Sequence, residues 1–329
     1  MPVNRHGPVR LGVLGCADIA WRRTLPAVVA EPRLRLVAVA SRDGRRAQRF
    51  ADRFGAAPVT GYDRLLDRDD IDAVYVPLPA GLLPRWVDAA LAAGRHVLAE
   101  KPLGRTGTEA HELIGRAAAR DLVLMENAAF QLHPQHDAVR QLVAAGEIGP
   151  LRTVTSVFGI PPLPPEDVRY RPELGGGALL DLGFYPLRAA QMFLGPELRV
   201  VSAHLHPGPS GVDVAGSALL VAPDGVEAAI SFGFQHAYRN AYELWGGEGR
   251  IVLERAFTPP PEHRPVLNLS GAAGARQRPL RSHHQFAALV ADFAAAVTTR
   301  RSLRQHHDEV IGRAALAEAV RRHAGVEVR

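Results

Sequence analysis

Gly12-Val13-Leu14-Gly15-Cys16-Ala17-Asp18-Ile19-Ala20 closes an apolar run that begins at Val9 and opens an amphipathic stretch. Read as G-x-[GA]-x-x-[GA], its fingerprint positions are Gly15, Ala17 and Ala20. Gly15 permits a tight turn, the small Ala17 lets the backbone approach a pyrophosphate, and Ala20 lets the next helix pack closely on its strand. Gly15, Cys16, Ala17, Asp18 and Ile19 are therefore the expected phosphate cradle. Alanine at the second position narrows the room for phosphate, and such a match gains weight only from its surroundings. Cys16 reads as a small buried residue rather than a reactive thiol.

The surroundings supply that weight. Short apolar runs at 9–14, 35–40, 58–60, 73–77, 97–99 and 122–125 alternate with helical stretches at 19–29, 45–54, 84–93 and 108–119, the βαβ signature of a parallel sheet. After Asn127 the pattern changes. A helix is expected at 134–145, a strand at 151–158, a proline-rich loop at 160–165, and a helix running from the glycines at 175–177 to about 194. Period-two strands follow at 200–206, 217–222, 228–235, 241–245 and 250–254, with strand character to about Asn268, and helices at 284–297 and 308–323 close the chain. The expected fold is an N-terminal Rossmann dinucleotide-binding domain over 1–127, followed over 128–329 by an α+β substrate domain with a large open, mostly antiparallel sheet. The uncovered face of that sheet is expected to serve oligomerisation as a homodimer or homotetramer.

The chain has 329 residues, 47% hydrophobic and 22% charged, ordinary for a globular protein of two domains. Residues 1–7 lead straight into a strand, and no apolar segment is long enough for a signal peptide or a membrane helix. One cysteine excludes an intrachain disulfide and suits a reducing cytoplasm. The 14 histidines are scattered; His133, His136 and the doublets at 283–284 and 306–307 lack partners in sequence, so no metal is expected. The net charge of +5 comes from interleaved charges without aromatic stripes, which argues against nucleic acid and suits anionic small molecules.

Strand two ends Val39-Ala40-Ser41-Arg42, where NAD-specific folds carry an acid for the ribose hydroxyl. A hydroxyl and a guanidinium there favour the 2′-phosphate of NADPH over NADH, unless Arg42 merely begins the solvated helix bearing Arg45, Arg46 and Arg49. Strand five ends His96-Val97-Leu98-Ala99-Glu100-Lys101-Pro102. The carboxyl end of a buried parallel strand is where open α/β sheets hold ligands, so Lys101 is placed like a proton donor, with a surface ion pair as the alternative. Gly175-Gly176-Gly177 opens a helix whose start is expected to leave backbone N–H groups for a ligand. Asp181 and Tyr185, four apart, share a face of it and are expected to meet the lysine across an interdomain cleft. The alternative makes Tyr185 a core aromatic.

Glu100-Lys101-Pro102, combined with this glycine-rich helix start, resembles the glucose–fructose oxidoreductase/inositol dehydrogenase family over essentially the whole chain. Ala17-Asp18-Ile19-Ala20, Tyr75-Val76-Pro77-Leu78-Pro79, Met125-Glu126-Asn127, His133-Pro134-Gln135-His136, Asp167-Val168-Arg169-Tyr170 and Phe257-Thr258-Pro259-Pro260 together resemble its NDP-hexose 3-ketoreductases, which make unusual deoxysugars for glycosylated natural products. Sugar-oxidising members commonly carry histidine where Tyr185 stands. The resemblance implies Lys101 as proton donor with Tyr185 as partner or alternative, and Glu100 and Asn127 beside the nicotinamide. It implies Arg169 and Asp181 on the cofactor, Tyr62, Leu78 and Leu83 lining its pocket, and Arg23, Tyr238 and Thr258 on the sugar nucleotide. Relatives often carry a histidine where this chain has Gly81-Leu82-Leu83, so that contact does not transfer.

The expected reaction is NADPH-dependent reduction of the 3-keto group of a nucleotide-linked, dTDP-type deoxyhexose, with Lys101 protonating the forming alkoxide. Burial lowers such a lysine's pKa and Glu100 opposes that. The rival readings are an NAD(P)-dependent dehydrogenase of a free sugar or cyclitol, and a non-catalytic NADP(H)-sensing regulator.

Overall fold

The computed structural model describes residues 7–272 and 274–326; the lead-in at residues 1–6 lies outside them. Strands β1 (Val9–Leu14), β2 (Leu34–Ser41), β3 (Ala57–Thr60), β4 (Ala73–Val76), β5 (His96–Ala99) and β6 (Leu124–Glu126) form a parallel sheet in the order β3-β2-β1-β4-β5-β6. Helices α1 (Leu25–Ala30), α2 (Gly44–Phe54), α3 (Tyr62–Leu66), α4 (Leu83–Ala92) and α5 (Gly107–Ala118) lie between them in sequence. All four residues of β4 and of β5 are buried, which is why both read as unbroken apolar runs. The winding reverses between β1 and β4, so ligands of such a sheet bind beyond the carboxyl ends of these strands.

Local departures from expectation have local causes. The helix expected at 19–29 opens as a π turn, Ala20–Thr24, in which the Leu25 N–H donates to the Ala20 carbonyl. Pro26 has no N–H to continue an α ladder. Strand β6 begins at Leu124 rather than 122, because the Val123 N–H donates to His96 Nδ1 at 2.9 Å. Short α3 went unread in sequence.

The second sheet contains β7 (Leu151–Gly159), β8 (Arg199–Pro207), β9 (Asp213–Val221), β10 (Glu227–Gly233), β11 (Arg239–Gly246), β12 (Gly249–Glu254), β13 (Val266–Gly271) and β14 (Gly274–Pro279), in the order β14-β13-β12-β11-β7-β10-β9-β8. Every pairing is antiparallel except β7 with β10, where Phe158 lies opposite Phe232 in parallel register. Helices α6 (Gln135–Ala144), α7 (Phe184–Leu194), α8 (Gln285–Thr299) and α9 (Arg304–His323) complete the chain. Helix α7 packs on β7 and β10, covering the face that buries Val154, Phe158, Ile230 and Phe232. The other face leaves Thr155, Ser217 and Ser231 exposed, with Trp245 60% exposed.

The chain divides into two compact units that do not follow a single cut at 127. One holds residues up to Gly104, Thr108–Ala129 and Phe286–Val310; the other holds Arg105–Gly107, Phe130–Gln285 and the chain from Ile311. The segment containing α8 returns to the first unit because it is bonded to β6 there. His306 Nε2 accepts the Glu126 N–H at 3.0 Å, and His307 Nε2 donates to the Leu124 carbonyl at 2.8 Å. No helix among the described residues is long and apolar enough to cross a membrane.

Candidate active site

In the first unit, Gly15 has φ +129°, and a Cβ there would lie 2.8 Å from Leu78 Cδ2 and 3.1 Å from the Pro77 carbonyl. Only glycine allows this turn to pass over the segment after β4. Cys16 is buried and its thiol is pushed up to about 11 by desolvation, so it is a neutral packing group. Asp18 is exposed and paired with Arg22 at 2.5 Å; Ala17, Ile19 and Arg23 are half-buried. Leu78 is buried beside the turn, whereas Leu83 is fully buried at the start of α4 and presents no surface.

Ser41, at the end of β2, accepts the Asp43 N–H at 3.2 Å, and Asp43 caps α2 through the N–H groups of Arg45 and Arg46. The acid nearest the strand end is thereby engaged as a cap. Arg42 is exposed and, with Arg46, lowers the Tyr62 phenol that burial otherwise raises. Arg49 and Arg53 lie over the Trp21 ring at 4.7 and 4.1 Å, which accounts for two of the α2 arginines without a ligand.

Beyond β5, Glu100 is buried and its Oε1 accepts from Tyr75 Oη at 2.5 Å and from Asn127 Nδ2 at 2.6 Å; Oε2 accepts the Lys101 N–H at 3.3 Å. Burial pushes this carboxyl up, and the three donors with the charge of Lys101 pull it back. The carboxylate accepts only, so Asn127 must turn its amide nitrogen toward it and its Oδ1 away. That Oδ1 is buried and has no partner among the described residues. It suits a ligand N–H donor such as the carboxamide of a nicotinamide, so the residues fit NADP(H). Of the 39 lysine and arginine residues in the chain, a single one is lysine, at 101. Arginine cannot release a proton near neutral pH, and lysine stands at the one basic position proposed to exchange one.

In the second unit the glycine segment is built differently from expectation. The N–H groups of Gly175, Gly176 and Gly177 donate to the carbonyls of Pro172, Arg171 and Arg169, and the Leu179 N–H donates to Asp213 Oδ2 at 2.6 Å. The helix start is thus capped from β9 and offers these donors to no ligand. The glycines serve close packing: a Cβ on Gly176 would sit 2.5 Å from the Arg169 carbonyl, and one on Gly177 2.4 Å from Asp213 Oδ1.

A π turn, Leu179–Gly183, leads into α7. From Gly177 to Gln191 every residue is buried except Asp181 and Tyr185, so these two share the open side of the helix as their spacing requires. Arg169 bridges Asp181 at 2.6 Å and Asp167 at 3.2 Å, which raises its pKa further. Tyr185 lies against Phe130, Phe158, Phe184 and Phe257, with ring centroids 5.1–5.5 Å apart. Its ring is embedded among them, and the residue is half-buried.

Tyr238 and Thr258 are 3.2 Å apart, oxygen to oxygen. Buried Asn240 joins them, donating through Nδ2 at 2.7 and 3.0 Å, while its Oδ1 accepts the Phe257 N–H. Gln135 and Gln285 hold the carbonyls of Ala256 and Phe257. Sequence reading missed Tyr75, Thr24, Asn240 and Asp213. Tyr75 carried a signal, since a phenol inside a doubly buried strand needs a polar partner; the others depend on tertiary partners.

Comparison with known proteins matches residues 9–128 to an oxidoreductase family model with an NAD-binding Rossmann fold, and residues 136–252 to the GFO/IDH/MocA C-terminal domain. A dTDP-3,4-didehydro-2,6-dideoxy-alpha-D-glucose 3-reductase of Actinomadura kijaniata is 49% identical over 97% of this chain and 96% of its own length. The enzyme of that name from Streptomyces antibioticus is 51% identical over 95% and 96%. The solved structure of the 3-ketoreductase KijD10 from Actinomadura kijaniata, with NADP and TDP-benzene, superposes with a TM-score of 0.95 at 49% identity, covering 96% of this chain and 98% of that one. KijD10 has also been solved with a tyrosine changed to phenylalanine and with a lysine changed to alanine or glutamate.

Proposed function

Because this chain belongs to the GFO/IDH/MocA oxidoreductase family, we propose that it is an NADPH-dependent 3-ketoreductase of a dTDP-linked deoxyhexose. The observation that carries the reading is Lys101, the chain's one lysine, delivered at the carboxyl end of β5 against a buried glutamate. The substrate class comes from the 3-reductases at about half identity and from the TDP-benzene held by KijD10. That a lysine and a tyrosine were the residues substituted in that enzyme supports Lys101 and Tyr185 as the residues that matter here.

NADPH supplies the hydride to C3 of the sugar. Lys101 Nζ donates a proton to the carbonyl oxygen, and its charge stabilises the oxyanion as it forms. Ionised Glu100 keeps the lysine protonated, and Tyr185 is the second proton-bearing group. Arg23 contacts the diphosphate, for which a guanidinium fork is suited, while Tyr238 and Thr258 hold the sugar nucleotide. The turn at 15–19, Ser41, Arg42, Tyr62, Leu78, Asn127, Arg169 and Asp181 serve the cofactor. The assembly is a homodimer or homotetramer joined through the Trp245 face of the eight-stranded sheet. It works in the cytoplasm, where Cys16 stays reduced.

The test is consumption of NADPH with a dTDP-linked 3-keto deoxyhexose, set beside NAD(P)-dependent oxidation of free aldoses and inositols. Turnover of the first alone is expected. Turnover of the free sugars alone would make the protein a sugar or cyclitol dehydrogenase.

A further inference from the structure

We infer that Tyr75 is a positioning residue for this reaction: its buried hydroxyl, backed by Thr24, keeps the Glu100 carboxylate ionised and aimed so that its charge holds the ammonium of Lys101 in place. The inference rests on the proposed roles of Glu100 and Lys101. Tyr75 sits in β4 with no exposed surface, and a phenol buried there without a partner would cost the strand its desolvation. Two side-chain oxygens flank its own. Glu100 Oε1 is 2.5 Å from its oxygen and Thr24 Oγ1 is 3.1 Å from it. An ionised carboxylate has no proton to give, so Tyr75 donates to Glu100 and Thr24 donates to Tyr75. The direction of the chain is thereby set, from the end of the π turn through β4 to the end of β5.

The groups facing Glu100 are few. Tyr75 approaches from β4, Lys101 adjoins it in sequence, and Asn127 from beyond β6 is neutral. Burial favours the protonated carboxyl, and the donors from Tyr75, Asn127 and the Lys101 backbone favour the anion. Removing the Tyr75 hydroxyl leaves Oε1 a single short donor, so Glu100 takes up a proton at higher pH. A neutral Glu100 no longer attracts the Lys101 ammonium, so on the acid side the proton donor stays protonated but loses the charge that positions it. Thr24 acts one bond further out, strengthening Tyr75 as a donor, and its loss is felt in the same direction but less.

The sole lysine makes the test clean. In holoenzyme labelled with carbon-13 at lysine Cε, Lys101 is the only lysine signal, and ionisation of neighbouring Glu100 registers as an acid-side inflection in its pH titration. Tyr75→Phe is expected to move that inflection, and the acid limb of kcat/KM, upward by about one pH unit, as loss of one hydrogen bond to a charge implies. Thr24→Val should move both by less, with NADPH affinity unchanged in either variant. An inflection at the wild-type pH in folded Tyr75→Phe overturns the inference; if that variant does not fold, an unmoved inflection in Thr24→Val does so. An inflection that moves as expected in a protein unable to reduce any 3-keto sugar nucleotide upholds the link from Tyr75 to Glu100 and overturns the proposed reaction.

Discussion

Lys101 and Arg42 show how far a single side chain decides chemistry here. An ammonium can stabilise an oxyanion and then surrender a proton; a guanidinium can do only the first. Lys101→Arg should therefore keep NADPH affinity while losing at least ~100-fold in kcat, the ordinary worth of a positioned general acid. Single-turnover kinetics beside a cofactor titration would separate the two effects, and near-normal turnover would show that charge alone suffices. At the other end of the cofactor site, Asp43 is occupied as the cap of α2, leaving Ser41 and exposed Arg42 at the end of β2. Arg42→Ala should raise the KM for NADPH about tenfold, one charge-assisted contact, with little change for NADH. Equal losses with both cofactors would assign Arg42 to the solvated face of α2.

Elements explain which parts of the site were legible in sequence. The ends of β1, β2 and β5 were readable because strands buried on both faces announce their stops with Gly15, Ser41 and Glu100. The glycine segment was misread because its cap comes from Asp213, distant in sequence and visible only once β9 lies beside the helix start. Strand β14 escaped because all six residues are exposed, so an edge strand rich in arginine shows no apolar period. The parallel pairing of β7 with β10 was equally hidden, since the partners are not consecutive. The cap makes its own prediction. Asp213→Ala should lower the stability of the protein by about 1–2 kcal/mol in denaturant unfolding, as loss of a helix N-cap does. Gly177→Ala at φ +119° should cost at least as much, because its methyl group meets the same carboxylate. Unfolding midpoints equal to wild type in both would show that the Asp213 cap does not stabilise the fold.

At the scale of the whole molecule, buried histidines set the response to acid. Burial holds His136 at about 3 and His133 at about 4, against 6.5 for an ordinary histidine. The unfolded chain therefore binds protons that the folded chain refuses, and the contribution of both residues is full above about pH 6.5 and declines as pH falls toward 4. Melting temperatures should fall over that window, and His136→Gln, which does not titrate, should flatten the decline. The open face of the eight-stranded sheet is the proposed interface, so Trp245→Glu should shift the sedimentation coefficient toward that of the monomer. The family and the two-sheet architecture were legible from pattern and motif, whereas the return of residues 286–310 to the first unit depended on His306 and His307 reaching β6. The proposed reaction turns on a proton from Lys101 at the end of β5. The most direct measurement is the turnover of a dTDP-linked 3-keto deoxyhexose by Lys101→Ala, alongside its dissociation constant for NADPH. Turnover is expected to fall at least ~100-fold with NADPH binding retained; turnover near that of the wild-type protein would show that Lys101 is not the proton donor.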